Sequence, residues 1–576
     1  MKASDYIAQF LEAQGVTTVF EMSGGMITHM LDSLHQLTSI DIVSMHHEQS
    51  AAFAADAYGR VTGVPGVAMA TSGPGATNLL TGIASCYFDT TPGIFITGQV
   101  NTFELKGDRS IRQLGFQETD IVSMARPVCK ACFEVRDSLE LPQVLEDAFR
   151  IALEGRQGPV LIDIPMNVQR GDIPTPEAII RVPRQRIAHE LTAALFKELA
   201  QALSAAHRPL ILVGRGVRAA FVVEEFRCFT HLVQVPVVAS LLAVDAMAYN
   251  DPLRVGYIGS YGNRWANMAL GKSDFILVLG ARLDIRQTGA DTVYFQEGRT
   301  IYHVDCDPGE INNRVKGCRP VVADLADFFK LASCYYNVDD FSPRTEWQAT
   351  LRDLQIEWAD TKEQPDVVGI NPNKFMHSLT KGIGQKAIGY VADVGNHQQW
   401  AAQSAELGPK QLFLTSAGLG SMGYALPAAI GMCFGSGRQP VVMIAGDGGF
   451  QMNIQELQTI AHHKLPIKLV VLNNNCLGMI RQFQDSYFEG RYQSTFWGYS
   501  APDFVEIAAA YGIPALTVSE SDGLDEAVAW LWQDPEQPAL LQVMVDSHTN
   551  CYPKLAFGRP ITEMEPFAKP LEMEGT

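Results

Sequence analysis

The chain has 576 residues and a formal charge of −19, from 44 Lys and Arg against 63 Asp and Glu, a length that suits about three to five domains. With 47% apolar and only 19% charged residues it is not a disordered chain. Its acidic balance argues against a nucleic-acid or anionic-membrane partner, and the lack of an apolar run of about 18 residues argues against a membrane span.

The first residues pass directly into an amphipathic pattern without the apolar stretch of a signal peptide, so a cytoplasmic protein is expected. Ser4 is placed to cap a helix carrying Tyr6, Ile7, Phe10 and Leu11, and Gly15 to stop it. Strands are expected over residues 17–20, 41–45, 64–72 and 93–98, with helices over 48–60 and 75–87. Ten cysteines are too few for a disulfide scaffold, and Cys129 and Cys132 read as two small residues near a strand. Residues 171–186 carry three prolines and read as a linker. A second block follows with strands at 209–213 and 274–279, then a surface helix with loops over 338–364. A third block starts near Asn371 and holds strands at 441–445 and 467–472. Such alternation predicts an α/β fold of three doubly wound parallel-sheet domains, with ligands beyond the carboxyl ends of the strands. The expected bounds are residues 1–172, 188–337 and 369–548, with an arm over 549–576.

The strongest chemical signal is Gly446-Asp447-Gly448 after one apolar strand and Asn473-Asn474 at the end of the next. Two adjacent turns of this kind bring a carboxylate, an amide oxygen and a backbone carbonyl of the chain just beyond Asn474 to one place. Mg²⁺ takes such oxygens and commonly shares its shell with a phosphate. Glycine lets the backbone approach that phosphate closely.

With these turns the chain resembles the thiamine diphosphate enzymes, and most closely the acetolactate synthase-like group. The resemblance runs along nearly the whole length. It includes His47-Glu48-Gln49, the segment 71–78, Gly98-Gln99-Val100, Phe116-Gln117-Glu118, Gly280-Ala281-Arg282, the segment 394–398 and the segment 418–423. It implies a pyrimidine-binding, a central and a diphosphate-binding domain in that order. It implies that Glu48 holds the pyrimidine nitrogen whose protonation activates the cofactor, that the Gly420 carbonyl receives the amino group, and that Met422 bends the cofactor. Asp447, Asn474 and the carbonyl of Cys476 match the Mg²⁺ ligands. Gly395, Asn396, His397, Gly446 and Gly448 match the diphosphate side, and Gly25, Gly73, Pro74 and Asn78 the pyrimidine side. Phe116 and Gln117 match residues near the reacting carbons. The two cofactor halves come from different subunits in this family, so a homodimer is implied and a tetramer is possible.

The central block resembles the FAD-binding domain of acetolactate synthase through Gly214, Gly216, Gly259, Gly262, Gly280 and Arg282. Asp305 and Asp307 are placed for ribose or adenine edges. The implied flavin does no required redox chemistry.

The departures lie on the substrate side. Gln482-Phe483-Gln484 stands where the family has Gln-Trp-Gln, Met166-Asn167 where it has Lys-Asp after the proline, and Ile285 within Asp-Asp-Arg. The loop over residues 101–115 is longer and holds Lys106, Arg109 and Arg112. Arg286, Ile480, Phe483 and Met166 match pocket positions. The expected reaction is decarboxylation of pyruvate and transfer of its two-carbon unit to a ketone. The departures and the segment 112–118 point toward a non-pyruvate acceptor such as a 4-keto-deoxy sugar nucleotide, as in the yersiniose-type branch. Acetolactate synthase, which joins two pyruvates, is the alternative.

Overall fold

The computed structural model describes residues 1–187 and 190–571. Residue 188, where the second block was expected to begin, and residues 572–576 of the expected arm lie outside the described residues. No described helix is long and apolar enough to cross a membrane.

Three parallel six-stranded sheets succeed one another along the chain. The first is built from β1 (Thr18–Met22), β2 (Asp41–Ser44), β3 (Gly66–Ala70), β4 (Gly93–Gln99), β5 (Ala131–Glu134) and β6 (Pro159–Pro165), in the order β2-β1-β3-β4-β6-β5. The second holds β7 (Pro209–Val213), β8 (Val237–Ala239), β9 (Arg254–Tyr257), β10 (Phe275–Leu279), β11 (Thr300–Asp305) and β12 (Arg319–Val322), in the order β12-β11-β10-β7-β8-β9. The third holds β13 (Gly389–Ala392), β14 (Leu412–Thr415), β15 (Val441–Gly446), β16 (Ile467–Asn473), β17 (Ala515–Val518) and β18 (Ala539–Met544), in the order β14-β13-β15-β16-β18-β17. The inner strands are buried on both faces, which is why they read as unbroken apolar runs. The first and third sheets share one topology, and the second has the order of a dinucleotide-binding fold. The winding direction reverses between β1 and β3, between β7 and β10, and between β13 and β15. Those reversals open crevices at the strand ends.

The first and third sheets are joined by two helices of small residues, Glu48–Thr62 and Ala425–Gly435. A Cβ on Gly431 would sit 2.0 Å from the Ala54 carbonyl oxygen, so only glycine permits this approach. One continuous core runs through both sheets. The final segment forms a short hairpin, Lys554–Leu555 with Met564–Glu565. It lies on the helix Arg264–Lys272, whose Arg264 donates to the Met564 and Glu565 carbonyls.

The first helix, Ala3–Ala13, begins one residue earlier than the expected cap. Ser4 is not the cap: its buried hydroxyl lies 2.9 Å from that of Ser33 on the neighbouring helix. Gly15 does end the helix, at φ 85°. The expected helix over 75–87 is two helices, Pro74–Asn78 and Leu80–Phe88.

Candidate active site

The crevice between β13 and β15 gathers the turns after three strands. Asp393, just beyond β13, is buried and accepts the backbone N–H groups of Val394 (2.8 Å), Gly423 (3.0 Å) and Ala425 (2.8 Å). Burial pushes its carboxyl up to about 6. It thereby pins the turn that carries Gly420 and Met422, two positions the sequence singled out. Asp447, at the end of β15, is buried. Its carboxylate accepts the Tyr499 hydroxyl at 2.9 Å and also meets the backbone of Asn474. Burial pushes Asp447 up to about 6, a cost that a bound divalent cation reverses. Asn474 Oδ1 accepts the Cys476 N–H at 3.3 Å. The Cys476 carbonyl accepts the Gly478 N–H at 3.0 Å and keeps a second lone pair. Its thiol points elsewhere, to the Ser547 carbonyl, so Cys476 can serve a metal through its backbone oxygen.

Beside this oxygen set lie polar groups with no partner among the described residues. Both amide atoms of Asn396 and the His397 Nε2 are buried without a hydrogen bond, an arrangement that costs free energy unless a ligand answers it. Burial pushes His397 down to about 3, so its imidazole is neutral. The glycines are cradles. A Cβ on Gly446 would come within 2.8 Å of the His397 ring, and one on Gly478 within 2.7 Å of Asn474 Nδ2 and 2.9 Å of Asn396 Nδ2. A Cβ on Gly448 would meet the Met422 methyl at 3.4 Å. The unanswered donors, close backbones and hard oxygen ligands fit a diphosphate with Mg²⁺.

On the first sheet, Glu48 opens the helix Glu48–Thr62 at the end of β2, and Asn78 Nδ2 donates to its Oε2 at 2.9 Å. Gly73, at φ 66°, packs against Gln117, which itself adopts φ 64°. Glu48, Gly73, Gln117 and Asn78 therefore surround one spot, with Pro74 exposed beside them. Phe116 projects outward at 79% exposure, and Gly25 stands exposed with open space about it. Gly420, at φ 70°, likewise faces open space. Among the described residues the Glu48 carboxylate has no hydrogen-bond partner from the third sheet, although the neighbouring Gln49 meets Asn453 at 3.2 Å.

Sequence reasoning missed Asp393, Tyr499 and the clamp formed by Asp89. Asp89, fully buried at the end of the helix Leu80–Phe88, accepts the Ala417 N–H at 3.0 Å and the Gly418 N–H at 2.7 Å. Arg60 Nη2 reaches Asp89 at 3.1 Å and Asp56 at 2.8 Å. The first sheet thus holds the base of the third sheet's Gly420 turn.

The crevice between β7 and β10 opens into a cavity walled by the turns after those strands and by Arg156, Arg184 and Arg215. Gly216, Gly280, Arg282 and Asp305 line it. Gly214, Gly259 and Gly262 are turn glycines at its edge. A Cβ on Gly214 would lie 2.2 Å from the Gly280 carbonyl oxygen, and one on Gly259 (φ 116°) 2.4 Å from that of Arg286. Asp307 lies outside the lining of the cavity. Its carboxylate is taken by Arg156 at 3.2 Å and by the Gly309 N–H. Arg156, Arg184 and Arg215 enter the lining from distant segments. Arg215 makes one bond, at 3.4 Å to the Asp89 carbonyl, and burial pulls it down to about 10. A guanidinium so poorly answered at a glycine-walled crevice suits a pyrophosphate.

Of the expected pocket residues, Arg286 lines this same cavity. Ile480 and Phe483 lie on the helix Gly478–Tyr487, Ile480 exposed and Phe483 packed on the rings of Tyr487 (4.7 Å) and Phe488 (5.9 Å). Met166 starts the helix Met166–Arg170 on the first sheet, and the adjacent Asn167 makes two 2.9 Å bonds to Thr102.

Comparison with known proteins agrees with this geometry. Three family models match in succession: the thiamine pyrophosphate enzyme N-terminal TPP binding domain over residues 1–124, the central domain over 196–331, and the C-terminal TPP binding domain over 393–543. The acetolactate synthase large subunit of Porphyra purpurea is 35% identical over 570 residues, covering 96% of this chain and 94% of its own. The chain belongs to the thiamine diphosphate-dependent acetolactate synthase family. The large subunit of Corynebacterium glutamicum is 35% identical over 574 residues, covering 98% of this chain and 90% of its own. Isozyme 2 of Escherichia coli is 34% identical over 570 residues, covering 98% and 99%. Like its family, the chain is a thiamine diphosphate-dependent enzyme that forms carbon–carbon bonds.

Proposed function

We propose that this enzyme decarboxylates pyruvate and joins the two-carbon unit to a 2-keto acid, with a second pyruvate as acceptor and acetolactate as product. The observation that carries this reading is the meeting of Asp447, Asn474 and the Cys476 carbonyl with the unanswered Asn396 and His397, in a chain similar over its length to enzymes named acetolactate synthase. Bound thiamine diphosphate supplies an electron sink for the loss of CO₂. Asp447, Asn474 and the Cys476 oxygen hold Mg²⁺, and Asn396, His397 and the backbone at Gly446 and Gly448 hold the diphosphate. Met422, whose methyl lies against Gly448, would bear on the bound cofactor. The Gly420 carbonyl and the Glu48 carboxyl orient the pyrimidine, and Glu48 holds the proton at its ring nitrogen. Asn78 keeps Glu48 in place. Gln117 faces the same spot.

In this reading the working unit is a homodimer in which Glu48 of one subunit serves the Asp447 cluster of the other, consistent with the Glu48 carboxylate meeting no third-sheet side chain among the described residues of its own chain. The central cavity takes FAD in a non-redox role, and the purified protein is expected to be yellow. Residues 1–172, 188–337 and 369–548 act as the three domains. The keto-sugar acceptor that the sequence suggested has no support from the named relatives. A ketone bulkier than pyruvate is the second reading, favoured by Phe483 packing away on Tyr487 and by the neutral Asn167 tied to Thr102.

Glu48→Gln tests the role at the centre of this reading. The variant is expected to bind thiamine diphosphate within about threefold of the parent and to lose roughly 10²–10⁴ in turnover, the range of a positioned proton-transfer group. Retained turnover would remove Glu48 from the chemistry.

A further inference from the structure

A second cavity, of about 850 Å³, opens between strand β9, the 355–361 connection and the helices Pro372–Ile383 and Leu524–Leu531. None of the residues assigned above to cofactor or substrate lines it. Its three carboxylates are all engaged. Asp360 accepts from His377 Nε2 (3.0 Å), the Thr361 N–H (2.9 Å) and the Ser404 hydroxyl. Glu406 accepts from His377 Nδ1 (2.7 Å) and pairs with Lys381 (3.1 Å). Asp525 accepts the Ser378 hydroxyl at 2.5 Å. Burial opposes a charge on His377, but the two carboxylates on its ring nitrogens override this and raise it.

The cations are left over. Arg254, Lys374 and Lys386 line the cavity, and among the described residues no side-chain acceptor meets any of them. The Arg254 guanidinium lies 4.9 Å over the Tyr249 ring. Asp360 and Glu406 act on this guanidinium only through space, without a direct contact, and a planar fork held over an aromatic ring is preorganised for two-point contact with an oxyanion. Trp532, nine-tenths buried in the same wall, has an indole N–H without an acceptor. The Arg254 guanidinium therefore lines the cavity without a hydrogen-bond acceptor among the described residues, with lysines at its edge and aromatic surface from Tyr249 and Trp265 alongside.

We propose that this cavity is a binding site for an organic phosphate, its phosphate on Arg254 and the lysines and its flat body against the aromatic wall. The helix Asn396–Ser404 runs between the two sites: its first residues are Asn396 and His397, and Gln403 near its end lines the cavity.

The test uses the enzyme saturated with thiamine diphosphate, Mg²⁺ and FAD, so that the other phosphate-accepting sites are filled. AMP and inorganic phosphate are titrated while tryptophan fluorescence and heat are recorded. Saturable AMP binding is expected, with inorganic phosphate competing more weakly. Arg254→Met is expected to weaken AMP binding about tenfold or more, the scale of one charge-assisted bidentate contact. Because Arg254 is partly buried, the exposed pair Lys374→Ala and Lys386→Ala serves as a second variant, expected to weaken binding severalfold with turnover unchanged when AMP is absent. No saturable binding to the saturated enzyme, or binding that both variants leave within twofold, would overturn the proposal.

Discussion

Replacing Asp89 by Asn probes whether the first sheet sets the position of the cofactor turn. The native carboxylate accepts two backbone N–H groups, at 3.0 Å from Ala417 and 2.7 Å from Gly418, and a guanidinium N–H of Arg60 at 3.1 Å. An asparagine offers one accepting oxygen, and its amide N–H₂ must face a donor at one of the other positions. One charge-assisted bond of about 1.5–3 kcal/mol is lost and a donor is left facing a donor, for a total near 2–4 kcal/mol. Arg60 keeps Asp56 at 2.8 Å and the Thr415 carbonyl at 2.8 Å, so the helix contact itself survives. If about half of the loss falls on the turn that carries Gly420 and Met422, the dissociation constant for thiamine diphosphate rises roughly tenfold. Cofactor titration followed by turnover at saturating cofactor separates weakened binding from misplacement. A general loss of stability would not raise the dissociation constant of the folded fraction. A variant with parental cofactor affinity and parental turnover would refute the clamp.

Further outcomes follow from single contacts. Gly478→Ala places a methyl 2.7 Å from Asn474 Nδ2 and 2.9 Å from Asn396 Nδ2, so Mg²⁺ and cofactor affinity are expected to fall together by about tenfold or more, measured by metal-dependent activation. Asp163 is buried, accepts Thr97 Oγ1 at 2.6 Å and Gln99 Nε2 at 2.9 Å, and burial pushes it up to about 7 from 3.8. Its contribution to stability is full below the unfolded value and fades as pH rises through about 7, a span worth roughly 4 kcal/mol. Asp163→Asn is therefore expected to flatten the decline of Tm between pH 4 and 8, and an unchanged profile would count against this assignment.

Much of the fold was legible because parallel strands buried on both faces leave unbroken apolar runs, as at 209–213 and 441–445. The metal-side turns were legible because Gly446-Asp447-Gly448 and Asn473-Asn474 close such runs. What escaped was made by chain crossings with no local signal. Asp89 reaches Ala417 and Gly418 from another sheet, and Tyr499 returns to Asp447 from a distant loop. The partner of Asp307 escaped for the same reason, since Arg156, which reaches it, lies on a different sheet's connection. Ser4 looked like a cap because spacing cannot reveal that Ser33 faces its hydroxyl. The departures at Phe483 and Asn167 were visible as letters. The partners they meet, Tyr487 and Thr102, were not.

The central claim is tested most directly by supplying ¹³C-labelled pyruvate alone to the enzyme with thiamine diphosphate, Mg²⁺ and FAD, and following products by NMR. The account predicts labelled CO₂ and acetolactate at a catalytic rate, abolished when Mg²⁺ is removed. Acetaldehyde as the sole product, or pyruvate left unconsumed whatever ketone is added, would contradict it.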